Sequence, residues 1–188
     1  MLKRKRVEAG FWAIGLACAG YLLFIAAQAQ VSRVRAAQIP EKADVAVVVK
    51  SGAVIGSIEI PQLGLSVAVL EGDESTSLLK GLGHVPGTAE LGGLGTVGLA
   101  GHRDTFLRPL RRVTPGMMIR ASNTSGVYHY IVDSTEIVRP EAVEVLAIRE
   151  RPELTLITCY PFNYVGAAPK RFVVHAHLLS VSPDAHAL

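Results

Sequence analysis

Two cysteines and six histidines carry most of the reactive chemistry in this sequence. Cys18 lies in an uncharged N-terminal stretch and Cys159 lies deep in the remaining chain, so no disulfide within one chain is expected. A lone thiol at Cys159 has two readings: a small buried hydrophobe, or a nucleophile. The neighbours favour chemistry. Leu154–Cys159 reads as a strand that ends at Pro161, which cannot continue a ladder. After a loop, Arg171–His177 alternates as a second strand. A hairpin closed by residues 160–170 sets Cys159 opposite Arg171, with the two Cβ atoms about 5 Å apart on one face. A guanidinium there favours a thiolate and offers donors to a developing oxyanion. The loop alone does not fix this register.

A thiol nucleophile also needs a proton carrier. His102 sits behind Gly101, where a buried strand turns a corner, and is the best-placed candidate. The hairpin register sets His175 near Thr155, about 13 Å from Cys159 and too far for proton transfer. His175 and His177 share a face but have no third metal ligand with them. His129 reads as a surface or barrel-face residue, and His186 belongs to the tail. His84, in a Gly/Pro-rich stretch, stays in reserve. Two matches are discarded. Gly93-Leu94-Gly95-Thr96-Val97-Gly98 fits a dinucleotide pattern but enters a strand instead of opening a helix. His102-Arg103-Asp104 fits the start of a kinase loop without its downstream Asn.

These residues need a rim to stand on. Strand patterns occur at Ile55–Ile60, Leu65–Leu70, Thr96–Ala100, Met117–Arg120, Tyr128–Val138, Leu154–Cys159 and Arg171–Leu179. Glu71–Lys80 reads as a short helix capped by Asp73 or Ser75. Asp104 is expected to cap another through Leu110, and residues 81–95 read as loop. Arg103, Arg108, Arg111 and Arg112 read as a solvated face. Seven or eight short strands with two or three small helices predict a closed β-barrel spanning 53–182.

The net charge of +3 resides entirely in residues 1–8, a basic tail; the remainder is balanced. A neutral body argues against nucleic-acid binding. Residues 9–32 carry no charge and would make a helix of about 36 Å, against a hydrocarbon core of roughly 30 Å. Basic residues are denser before this segment than after it, so it is expected to hold the N-terminus inside and the body outside the cytoplasmic membrane. Ala27-Gln28-Ala29 would fit a cleaved leader, but the length favours a retained anchor. Residues 33–52 read as a juxtamembrane spacer, with Val45–Val49 as a strand or stalk, and 183–188 as a tail.

Gly101-His102-Arg103-Asp104-Thr105-Phe106, Leu154-Thr155-Leu156-Ile157-Thr158-Cys159 and Arg171-Phe172-Val173-Val174 together resemble the signature segments of sortases, membrane-anchored cysteine transpeptidases of bacterial surfaces. Ile58–Pro61, Gly83–Thr88 and the Tyr128–Val138 strand fall in the family's order, and the likeness leans to class D. The resemblance implies a mostly β, closed eight-stranded barrel behind one N-terminal transmembrane helix. It implies Cys159 as nucleophile, His102 as general acid/base and Arg171 as oxyanion and substrate-binding group. It gives His84 no catalytic role.

The implied partners are a secreted protein with an LPxTG-like C-terminal sorting signal and an amine of the cell wall or of a pilin. Residues 139–153 would shape the substrate pocket, with Val143, Val145, Leu146 and Ile148 lining it or filling core. Some relatives bind calcium, for which Glu90, Glu141 and Glu144 are a thin donor set; neither a required metal nor a cofactor is expected. A cell-wall L,D-transpeptidase would need a Cys context absent here. A membrane-tethered barrel that only binds or scaffolds would need a buried, unreactive Cys159.

Overall fold

The computed structural model describes residues 50–183. The basic tail, the expected anchor at 9–32, the Val45–Val49 segment and the last five residues lie outside them. Among the described residues no helix is long and apolar enough to cross a membrane.

The strands are β1 (Val54–Ile60), β2 (Leu65–Glu71), β3 (Leu82–His84), β4 (Thr96–Gly101), β5 (Met118–Asn123), β6 (Gly126–Val138), β7 (Glu153–Tyr160) and β8 (Lys170–Ser182). They close a barrel in the order β1-β2-β3-β4-β7-β8-β6-β5. Period-2 alternation decides which side chains point inward. Val97 and Leu99 of β4, Leu154 and Leu156 of β7, and Val174 and Ala176 of β8 join one core with Ile58, Ile60, Ile119 and Tyr130. Each fully buried Leu or Ile contributes about 1.5–3 kcal/mol.

Three expectations need correction. Residues 81–95 are not all loop: Leu82–His84 is the eighth strand, parallel to β2 and antiparallel to β4. The glycines there permit close packing, since a Cβ on Gly83 would lie 2.6 Å from the Gly72 carbonyl oxygen. The Glu71–Lys80 helix shrinks to one turn, α1 (Ser75–Leu78), with neither Asp73 nor Ser75 as its cap. Glu71 itself stays in β2. Asp104 caps no helix; the turn that follows is a 3-10 segment at Arg108–Arg112 with Leu107 at its N-cap. Further 3-10 turns occupy Pro61–Leu63 and Val143–Leu146.

Candidate active site

β7 and β8 are antiparallel, and their register pairs Cys159 with Arg171 and Thr155 with His175. β4 lies parallel on the other side of β7, with Gly98 beside Thr155, Ala100 beside Ile157 and Gly101 beside Thr158. The next residues on the two chains are His102 and Cys159. Inward positions on β4 are Val97 and Leu99, so Thr96, Gly98 and Ala100 follow the outward parity, and His102 comes just past the strand's end. Thr155, Ile157 and Cys159 follow the outward parity on β7. Cys159, His102 and Arg171 therefore come from three adjacent strands at one end of an outer face. Neighbouring strands lie about 4.8 Å apart.

Burial divides this face. Thr96, Gly98, Glu153 and Thr155 are buried, whereas Ala100, His102, Ile157 and Cys159 are half-buried. The cover at the closed end is the 139–153 connection. Thr96 Oγ1 donates to the Ala147 carbonyl at 2.8 Å, and Thr155 Oγ1 to that of Val145 at 3.4 Å. Leu146 lies over Gly98, where an added Cβ would be 2.6 Å from its Cδ2. The result is a strip roofed at one end and open at the thiol. Val143 and Ile148, candidates for lining or core, are 76% and 77% exposed. Of the four, Val145 and Leu146 are the half-buried pair.

The corner that displays His102 is pinned from both sides. Thr158 Oγ1 donates to the Gly101 carbonyl at 2.8 Å, and the Leu107 amide donates to the His102 carbonyl at 3.2 Å. A Cβ at Gly101 would lie 2.6 Å from Leu82 Cδ2 and 2.8 Å from Leu107 Cδ1, so the strand turns against the core only with glycine there. The thiol is unbridged and half-buried, unlike the sealed sulfur that a purely binding barrel would need. Arg171 donates through Nη1 to the carbonyls of Ala168 (3.3 Å) and Lys170 (3.1 Å), which holds its guanidinium against the β7–β8 connection.

The other described histidines have structural partners. His84 is 5% exposed. Its Nδ1 faces the Glu71 carboxylate at 3.1 Å, and its Nε2 faces the Ala89 carbonyl at 2.9 Å and Thr88 Oγ1 at 3.1 Å. His175 pairs with Glu136 at 2.8 Å and His177 with Asp133 at 2.7 Å. Asp133 sits at a bulge in β6, which re-aims it toward His177. His175 and Glu136 border a cavity of about 480 Å³, whose lining includes none of Cys159, His102 and Arg171. His129 is half-buried and bonds Ser182 at 3.2 Å. Among the described residues no group of three His, Cys, Asp or Glu side chains is arranged to hold a metal. Glu90 borders a different cavity from Glu141 and Glu144, so these three carboxylates do not fit a calcium site.

Arg103 departs from the solvated face expected of it, being 5% exposed. Its Nη2 reaches the carbonyls of Tyr164 (2.5 Å) and Gly166 (3.2 Å). No sequence signal marked it: Arg103 lies past the end of β4 in a turn, where strand alternation no longer says which side chains point inward.

Residues 58–179 match the family model described as "Sortase domain", and the chain belongs to the sortase family. It is 34% identical over 127 residues to Sortase D of Bacillus subtilis, covering 67% of this chain and 64% of that protein. That likeness supports the class D branch. Sortase A of Streptococcus agalactiae is 31% identical over 66% of this chain and 53% of its own length. The chain thus spans just under two thirds of the first relative and about half of the second. Sortase A of Listeria monocytogenes superposes with a TM-score of 0.64 at 28% identity, covering 69% of this chain and 90% of that one. Sortase E of Streptomyces avermitilis gives 0.63 at 31% identity, covering 74% and 96%.

Proposed function

We propose that this chain is a membrane-anchored cysteine transpeptidase acting on secreted proteins that bear an LPxTG-like sorting signal. The signal would lie along the open strip of β4 and β7. His102 takes the proton of the Cys159 thiol as Sγ attacks the carbonyl carbon of the signal's Thr, and the Arg171 guanidinium faces the oxyanion. The C–N bond breaks as His102 donates a proton to the leaving amine. An incoming amine of the cell wall or of a pilin then loses a proton to His102, forms the new amide and releases the thiol. Residues 9–32 serve as the retained anchor, with the barrel outside the cytoplasmic membrane.

The single observation that carries this reading is register. Cys159 stands opposite Arg171, and β4 ends beside β7 so that His102 follows next to Cys159. The test offers the full chain an LPxTG-like peptide with hydroxylamine as the amine. Wild type should form the hydroxamate, Cys159→Ala none, and Arg171→Gln about 100-fold less, as expected when an oxyanion donor is removed. Undiminished product from Cys159→Ala would end the proposal.

A further inference from the structure

We propose that Arg103 is a positioning residue: it clamps the β7–β8 connection and through it sets where the Arg171 guanidinium stands beside Cys159. This rests on the transpeptidase reading only for its kinetic consequence; the clamp itself is a matter of geometry.

Arg103 follows His102 directly and is almost wholly buried. Besides the adjacent Asp104, whose carboxylate faces its Nε at 3.3 Å, its partners lie some sixty residues away, at Tyr164 and Gly166, and its guanidinium carbon sits 5.9 Å from the Tyr164 ring centroid. Arg171, at the far end of the same connection, takes the carbonyls of Ala168 and Lys170. Two guanidiniums thus hold four alternate carbonyls, at 164, 166, 168 and 170. Displacing the first pair moves the backbone from which the second pair holds Arg171.

The connection has little else to fix it. Residues 163–167 are all exposed, and Val165 is 97% exposed. Arg103 ties this segment to the His102 corner, as Thr158 ties that corner to the strand of Cys159. All three candidate side chains then share one frame.

A second feature argues that the arginine is there for position and not for stability. Arg103 Nη1 is sealed from solvent without a hydrogen-bond partner. A buried donor on a charged group left unpaired is destabilising, and the ion-pair partner Asp104 is exposed, so its carboxylate keeps its water when the arginine is replaced. The carbonyls of Tyr164 and Gly166 belong to exposed residues and would find water if released. Stability and activity should therefore separate at this position.

The experiment uses the full chain as wild type, Arg103→Met, Arg103→Lys and, as a surface control, Arg108→Gln. It measures hydrogen exchange over 161–170, Cys159 alkylation by iodoacetamide, thermal unfolding and LPxTG-like peptide kinetics. Arg103→Met should keep its Tm, exchange faster over 161–170 but not over β1 and β2, and alkylate more slowly. Its kcat should fall about 10–100-fold, the scale of a small misplacement, with KM moving less. Arg103→Lys should recover part of the kcat and of the protection; Arg108→Gln should match wild type.

Unchanged exchange over 161–170, or wild-type kcat in Arg103→Met, overturns the proposal. Should Arg103→Met fail to fold, Arg103→Lys decides: faster exchange and a lower kcat at equal Tm support the clamp, and wild-type values overturn it. If even wild type leaves the peptide uncut, the transpeptidase reading fails by itself, and exchange with alkylation still settles the clamp.

Discussion

Thr158 donates its hydroxyl to the carbonyl of Gly101 at 2.8 Å, in a bond buried from solvent. It joins the residue before Cys159 to the residue before His102. Two chain segments 57 residues apart are thereby locked in register at the point where the chemistry is proposed.

Thr158→Val keeps the shape and removes the donor. The Gly101 carbonyl then loses a buried partner, which costs about 1–3 kcal/mol. The expected outcome is a lower Tm by thermal unfolding, together with a fall in kcat for LPxTG-like peptide. Thr158→Ser, which keeps the hydroxyl, should restore most of the kcat.

Gly98 lies where the roof of the strip meets its floor. Its missing Cβ leaves room for Leu146 Cδ2 and for Thr88 Cγ2, 2.6 and 3.0 Å from where a Cβ would stand. Gly98→Ala should lift Leu146 and with it the 139–153 cover, at a strain cost of about 1–3 kcal/mol. Peptide kinetics should show a higher KM with kcat nearly retained, since the thiol end of the face is untouched. Gly98→Ala combined with Leu146→Ala should bring KM back toward wild type.

His84 separates a structural histidine from the proposed proton carrier His102. Both of its ring nitrogens face acceptors inside the fold, the Glu71 carboxylate on one side and the Ala89 carbonyl on the other. His84→Ala leaves these unpaired and should destabilise the barrel by about 2–4 kcal/mol in denaturant unfolding. At a temperature where the variant is still folded, its kcat should stay close to wild type, whereas His102→Ala should lose turnover with its Tm intact.

Tyr130 sets an alkaline limit on stability. Burial pushes its phenol up to about 12, the neighbouring Tyr128 adds to the rise, and the Gly92 amide, 3.2 Å from the phenol oxygen, partly opposes it. The unfolded chain ionises near pH 10 while the fold still holds the proton. The stability that depends on neutral Tyr130 is therefore whole below pH 10 and is lost as pH rises toward 12, by about 3 kcal/mol in all. Urea titrations at pH 9, 10 and 11 should show this slope. Tyr130→Phe should flatten it.

The sequence made the hairpin of Cys159 and Arg171 readable because both strands alternate cleanly and Pro161 marks where the first one ends. The 159–171 and 155–175 pairings expected from it are those observed. His102 was readable as a corner residue; its neighbour across the sheet was not, because β4 and β7 pair in parallel over a long crossover that leaves no local trace. β3 was hidden for another reason. Three residues including a glycine carry no periodic signal, and their place is fixed by tertiary pairing with β2 and β4. The two expected helices failed where propensity gave way to short turns over the barrel ends. Arg103 was misread because it lies in a turn beyond β4, where no periodicity separates a buried arginine from a solvated one. The anchor at 9–32 falls outside the described residues, and its proposed role still rests on charge and length alone.

The parallel pairing of β4 with β7 bears on when the molecule becomes reactive. Gly101 meets Thr158 across 57 residues, a non-local step of the kind that slows folding. Until that closure the β7–β8 hairpin can already set Cys159 opposite Arg171, but nothing brings His102 beside them. On the proposed chemistry, a newly made chain would be harmless to its surroundings until the last seam of the cylinder is sewn.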